Sequence, residues 1–79
     1  MVYNTYVKID TISKVKEFSD TMSHFKEPIY LESGSYVADA KSILGIMGLN
    51  LLDKMKLVVE ANDELTFDRI TSSISKFII

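Results

Sequence analysis

Seventy-nine residues are expected to fold as one domain, residues 1–79. An apolar share of 47% argues for a packed core and against disorder. A net charge of −2 argues against the basic stripe that nucleic acid requires, and the lack of cysteine excludes disulfide and thiol chemistry.

Val2 to Ile9 alternates: Tyr3, Thr5, Val7 and Ile9 fall on one face, Asn4, Lys8 and Asp10 on the other. That is the period of a half-buried strand. Ile12, Val15, Phe18, Met22 and Phe25 recur at steps of three and four and predict a helix from about Thr11 or Ser13 to Phe25. Pro28 ends any helix. Ile29–Ser33 and Tyr36–Ala40 read as two strands joined by Ser33-Gly34-Ser35, a turn in which glycine is free to take positive φ. Ser42 opens a central helix as its N-cap. Asn50 to Lys54 is a loop. Met55, Leu57 and Val59 then alternate with Lys56, Val58 and Glu60 in a fourth strand. Asn62-Asp63-Glu64 supplies capping and acidic residues for a last helix, with the stripe Phe67, Ile70, Ile74 and Phe77.

The order βαββαβα predicts an α+β fold, an open-faced sandwich of a four-stranded antiparallel sheet with three helices on one face. Neither a cleavable signal nor an apolar run of membrane length is read, so no membrane insertion and a cytoplasmic location are expected.

Ala40 to Leu49 is the most informative stretch. Its apolar residues Ile43, Leu44, Ile46, Met47 and Leu49 spread too widely around a helix for one face to bury them all. Ile46 and Leu49 are assigned to the core, and Ile43, Leu44 and Met47 to an exposed patch beside Lys41. A protein partner or a second copy of the chain, forming a homodimer, would cover such a patch. Methionine suits an adaptable surface. His24 is the only histidine and lies near the end of the first helix, where it reads as a surface residue capping carbonyls. Asp20, one turn earlier, could pair with it. Two such ligands hold a metal weakly, and nothing completes a site, so neither metal nor cofactor is expected.

The run Lys41-Ser42-Ile43-Leu44-Gly45-Ile46-Met47-Gly48-Leu49 resembles the second helix of the HPr family, the histidine phosphocarriers of the bacterial sugar phosphotransferase system. A Lys-Ser-Ile-Met-Gly-Val-Met-Ser-Leu type of run is typical there. The resemblance extends back through Ile29-Tyr30-Leu31-Glu32 and forward through Leu57 to Asp63. It implies the same open-faced sandwich. The family's histidine sits in a Gly-Ile/Leu-His-Ala-Arg-Pro motif between the first strand and the first helix, where helix N–H groups and an arginine favour a phosphate. The same connection here reads Ile9-Asp10-Thr11-Ile12-Ser13-Lys14-Val15, without histidine, arginine, glycine or proline. It is shorter by about four residues, within ordinary loop variation. No residue matches the phosphorylatable histidine.

In many Gram-positive members the serine matching Ser42 is phosphorylated by a dedicated kinase, and the product binds the catabolite control repressor. Positions matching Ile43, Leu44 and Met47 form a docking patch shared by enzyme I, the sugar-specific enzymes and regulators. Catabolite-repression paralogues of spore-forming bacteria lack the histidine and keep the serine. The resemblance therefore implies a regulatory or docking module rather than an enzyme, acting through the second helix and controlled by phosphorylation at Ser42. Two alternatives stay open: a phosphocarrier with an unusual acceptor, His24 or Ser13, and a degenerate structural or fused domain with a new partner.

Overall fold

In the computed structural model, which describes residues 1–79, strands and helices follow the predicted order. They are β1 (Val2–Val7), α1 (Ile12–Met22), β2 (Ile29–Ser33), β3 (Tyr36–Asp39), α2 (Ile43–Met47), β4 (Met55–Glu60) and α3 (Glu64–Ser73). A 3₁₀ turn, Ser75–Phe77, follows α3. The strands form one sheet in the order β1-β4-β2-β3, and every neighbouring pair is antiparallel.

The period-two alternation decides which side of the sheet is buried. The register aligns Thr5, Leu57, Leu31 and Ala38 in one row across all four strands. Leu57, Leu31 and Ala38 are buried, together with Val7, Met55, Val59 and Ile29 on the same face. From the helices, Val15, Phe18, Met22, Ile46 and Ile70 complete the core. Phe18 meets Phe77 edge to face at 5.8 Å, and Tyr3 stacks on Phe67 at 5.2 Å, favourable aromatic geometries.

Three boundaries differ from the sequence pattern by more than one residue, and β3 ends at Asp39, one residue short of Ala40. β1 stops at Val7 because β4 begins opposite it, at Met55; Ile9 is nonetheless buried. α1 stops at Met22 rather than Phe25. There the Ser23 hydroxyl donates to the Ser19 carbonyl, and the His24 and Phe25 N–H groups turn back onto Thr21 and Met22. Ile12, at the first turn of α1, stays exposed, and Ser19 is buried in the stripe. The last stripe is continuous, but Ile74 breaks its helix at φ −124° and ψ 28°.

Gly34 takes φ 61°, and Ser35 stays at negative φ, which makes the β2–β3 loop a type II′ hairpin turn. The last residues cover one end of the free edge of β1. Val7 pairs with Ile78, the Lys8 N–H donates to the Phe77 carbonyl at 2.9 Å, and the Ile79 N–H donates to Tyr6 at 3.2 Å. Over those residues the edge is closed to pairing with another chain. No helix is long and apolar enough to cross a membrane.

Candidate functional site

β3 hands the chain to α2 through a turn held by Asp39. Its carboxylate accepts the Lys41 N–H at 2.9 Å, and its carbonyl accepts the Ser42 N–H at 3.0 Å. Ser42 is extended, at φ −108° and ψ 111°. Its Oγ accepts the Gly45 N–H at 3.0 Å and its carbonyl accepts the Ile46 N–H at 3.0 Å, as an N-cap does. Gly45 belongs to this arrangement. A Cβ added there would stand 3.2 Å from Ser42 Oγ, so glycine leaves room for the hydroxyl. The Gly48 and Leu49 N–H groups bond back to Gly45 and Ile46 and close the helix after a single turn.

This geometry divides the apolar residues of α2. Ile46 and Leu49 are buried. Leu44 is 84% exposed, Met47 42% and Ile43 38%. Lys41 and Ser42 are half-buried beside them. The site is thus an apolar surface next to one hydroxyl, with Lys41 and the Asp39 carboxylate in the turn that leads into it. Leu52, in the loop after α2, is also exposed. Its one mark in the sequence is an apolar pair, Leu51-Leu52, inside a polar loop. Asn50 holds that loop by accepting the Leu52 N–H at 3.1 Å and donating to Asp53 at 3.0 Å.

The start of α1 is satisfied by the chain itself. Thr11 Oγ1 accepts the Lys14 N–H at 3.1 Å, and Lys14 Nζ pairs with the Asp10 carboxylate at 2.9 Å. The hydrogen bond from Lys14, then its charge, holds the Asp10 carboxyl below its ordinary range, and Lys8 adds to this. A paired carboxylate therefore stands at the start of α1. Ser13 lies exposed in the first turn of α1.

His24 lies in the turn after α1 and lines a cavity of about 440 Å³ with Lys26, Glu27, Asp63 and Arg69. Asp63 caps α3 there, accepting the Thr66 N–H at 2.8 Å, and the hydrogen bonds from Thr66 lower its pKa. Lys41, Ser42, Ile43, Leu44 and Met47 are brought together at α2, whereas His24 and Ser13 sit on other elements. No group of three or more His, Asp or Glu residues is placed to hold a metal.

A family model described as the PTS HPr component phosphorylation site matches residues 14–77. Among solved structures, HPr-C-His from Thermoanaerobacter tengcongensis superposes with a TM-score of 0.75 at 26% identity, covering 99% of this chain and 90% of that one. The phosphocarrier HPr of Bacillus anthracis str. Ames superposes with a TM-score of 0.68 at 20% identity, covering 91% and 95%. Crh, the catabolite repression containing protein of Bacillus subtilis, crystallised as a swapped, intertwined dimer, gives 0.66 at 18%, covering 92% and 87%. A search of curated proteins finds no match.

Proposed function

Since the chain belongs to the PTS HPr family, we propose that it is a member that docks and regulates without carrying phosphate on a histidine. The observation that carries this reading is the exposed α2 surface, with Leu44, Met47 and Ile43 in the open beside Ser42. An apolar surface of this kind calls for a protein partner. Partners of the phosphotransferase system or of catabolite regulation fit the family. No catalytic role is assigned.

The β1–α1 connection supports the second half of the proposal. It holds no histidine, and its helix start is occupied by Thr11 and the Asp10–Lys14 pair. The family match itself begins at Lys14, past that connection. Phosphorylation of Ser42 is the proposed control. It would set about two negative charges beside the patch and change which surfaces can dock there. Residues 1–79 would act as one domain, in the cytoplasm.

A second reading, phosphoryl acceptance at His24, has one observation in its favour: Lys26 and Arg69 share its cavity. Glu27 and Asp63 line the same cavity and offset that charge. The test of the first reading is an NMR titration of the ¹⁵N-labelled chain with phosphotransferase-system and catabolite-regulation proteins. Shifts should centre on Ile43, Leu44 and Met47, and Leu44→Asp should abolish binding while the fold persists. Binding that leaves these signals unmoved and tolerates Leu44→Asp would refute it.

A further inference from the structure

α2 closes after a single turn, and that early close leaves an aromatic ring uncovered. Alternation along β3 puts Tyr36 on the same face of the sheet as Ala38, the face the helices cover. α2 sits on Ala38: a Cβ built on Gly45 would stand 3.5 Å from the Ala38 Cβ. The helix then ends at Gly48, and Tyr36, nearer the hairpin turn, is 71% exposed. A groove of about 680 Å³ separates the hairpin from the loop after α2. Tyr36, Ser33 and Ser35 line it from the hairpin, and Gly48, Asn50 and Asp53 from the loop.

Asp53 is the only charged residue of that groove. Asn50 orients its carboxylate, donating from Nδ2 to Oδ2 at 3.0 Å, and leaves Oδ1 without a hydrogen bond from the chain. No cation of the chain answers it. The two ion pairs are Lys14–Asp10 and Lys76–Glu17. Lys54, the next residue, turns its ammonium to the Tyr6 ring instead, at 4.9 Å. An oriented carboxylate on one wall and an open aromatic ring on the other suit a cation from outside. Guanidinium fits this pair best, because it is planar, stacks on aromatic rings and presents a fork of donors to a carboxylate. Ammonium is more strongly hydrated and has no flat face. We propose that the groove receives an arginine side chain of a protein partner, its guanidinium lying on Tyr36 and bonding to Asp53, with the Ser33 and Ser35 hydroxyls as further acceptors. The groove meets the α2 surface at Gly48, one residue past Met47. The proposal rests on the docking role of α2 for its partner, and on the groove alone for its chemistry.

The experiment is an NMR titration of the ¹⁵N-labelled chain with N-acetyl-arginine methylamide. The citrulline analogue, of the same shape without the charge, is run beside it at equal ionic strength. A contact this small binds in the range of about 10 mM, so the titration runs to roughly 50 mM. Amide signals from Ser33 to Tyr36 and from Asn50 to Asp53 should move saturably with the arginine probe and not with citrulline. Asp53→Asn should weaken binding by roughly fivefold and Tyr36→Ala by roughly threefold, whereas Tyr36→Phe keeps the ring and should bind as the parent does. Leu44→Asp, outside the groove, should also bind the probe as the parent does, so that a failure of docking at α2 and a failure of the arginine site are read separately. Circular dichroism confirms that each variant is folded. The absence of a saturable shift, an equal response to citrulline, or a folded Asp53→Asn or Tyr36→Ala that binds as the parent does would each overturn the proposal. So would loss of the probe in Leu44→Asp, which would place it on α2 rather than in the groove.

Discussion

Ile46 and Leu44 belong to the same short helix, and opposite consequences are expected from changing them. Ile46 is fully buried against the sheet. Ile46→Ala removes that burial and leaves a cavity, at roughly 2–5 kcal/mol. For a domain of this size, 1 kcal/mol moves Tm by about 4–8 °C, so the variant should melt roughly 8 °C lower at the least. Leu44 is 84% exposed and loses little burial when replaced. In Leu44→Asp the new carboxylate stands in the first turn of a helix, where negative charge is tolerated. Its effect should stay within about 0.5 kcal/mol, as at other exposed sites, or under roughly 4 °C in Tm. Thermal melts followed by circular dichroism at pH 7 read both values, and a binding assay on the same samples reads the docking role. Leu44→Asp should be folded and unable to bind; Ile46→Ala should bind at temperatures where it is folded. A Leu44→Asp protein that melts well below Ile46→Ala would show that Leu44 packs in the core and that the proposed surface does not exist.

Three further outcomes follow from the geometry. Ser42→Ala removes the cap on Gly45 N–H and should lower stability by about 1 kcal/mol, whereas Ser42→Asp, which also caps, should leave it nearly unchanged; a urea titration separates the two. Gly34→Ala meets no atom within 4 Å, so its effect is confined to a backbone at φ 61° and should be a loss of about 1–2 kcal/mol, seen as a lower urea midpoint at unchanged slope. Asp63 has its pKa lowered in the folded chain by Thr66, so below the unfolded value of about 3.9 the unfolded state binds more protons. Its contribution is therefore full above that value and is lost as pH falls through the lower folded one. Melting temperatures should hold from pH 7 to about 5 and drop below about 4, and Asp63→Asn, which caps but does not titrate, should make that drop shallower; an unchanged drop would contradict the assignment.

Much of the fold was legible because the pattern is strict where the chain is buried on one side. Met55, Leu57 and Val59 fall at every second position and each is buried in β4, with Val58 the one apolar residue between them. At α2, five apolar residues in seven positions exceed what one face can hold, and the helix divides them, with Ile46 and Leu49 buried and Ile43, Leu44 and Met47 exposed. The end of α1 was not legible, because Phe25 continues the helical spacing and still packs against the core after the helix has stopped. Ser23, closing onto Ser19, decides the boundary, and serine is compatible with either outcome. The tail was invisible for a different reason. Val7 and Ile78 are brought together by topology, and two terminal isoleucines carry no periodicity to announce it. Nothing in spacing or composition marks Ser42 as a regulatory residue; that reading rests on resemblance to the family.

The central claim is that this family member docks without accepting phosphate on a histidine. It is tested most directly by incubating the chain with enzyme I and phosphoenolpyruvate and measuring intact mass under conditions that preserve phosphohistidine. The account predicts no gain, because the connection ahead of α1 offers Asp10 and Thr11 in place of an acceptor. An efficient gain of one phosphoryl group that disappears in His24→Ala would contradict it and make the cavity beside Arg69 the true site.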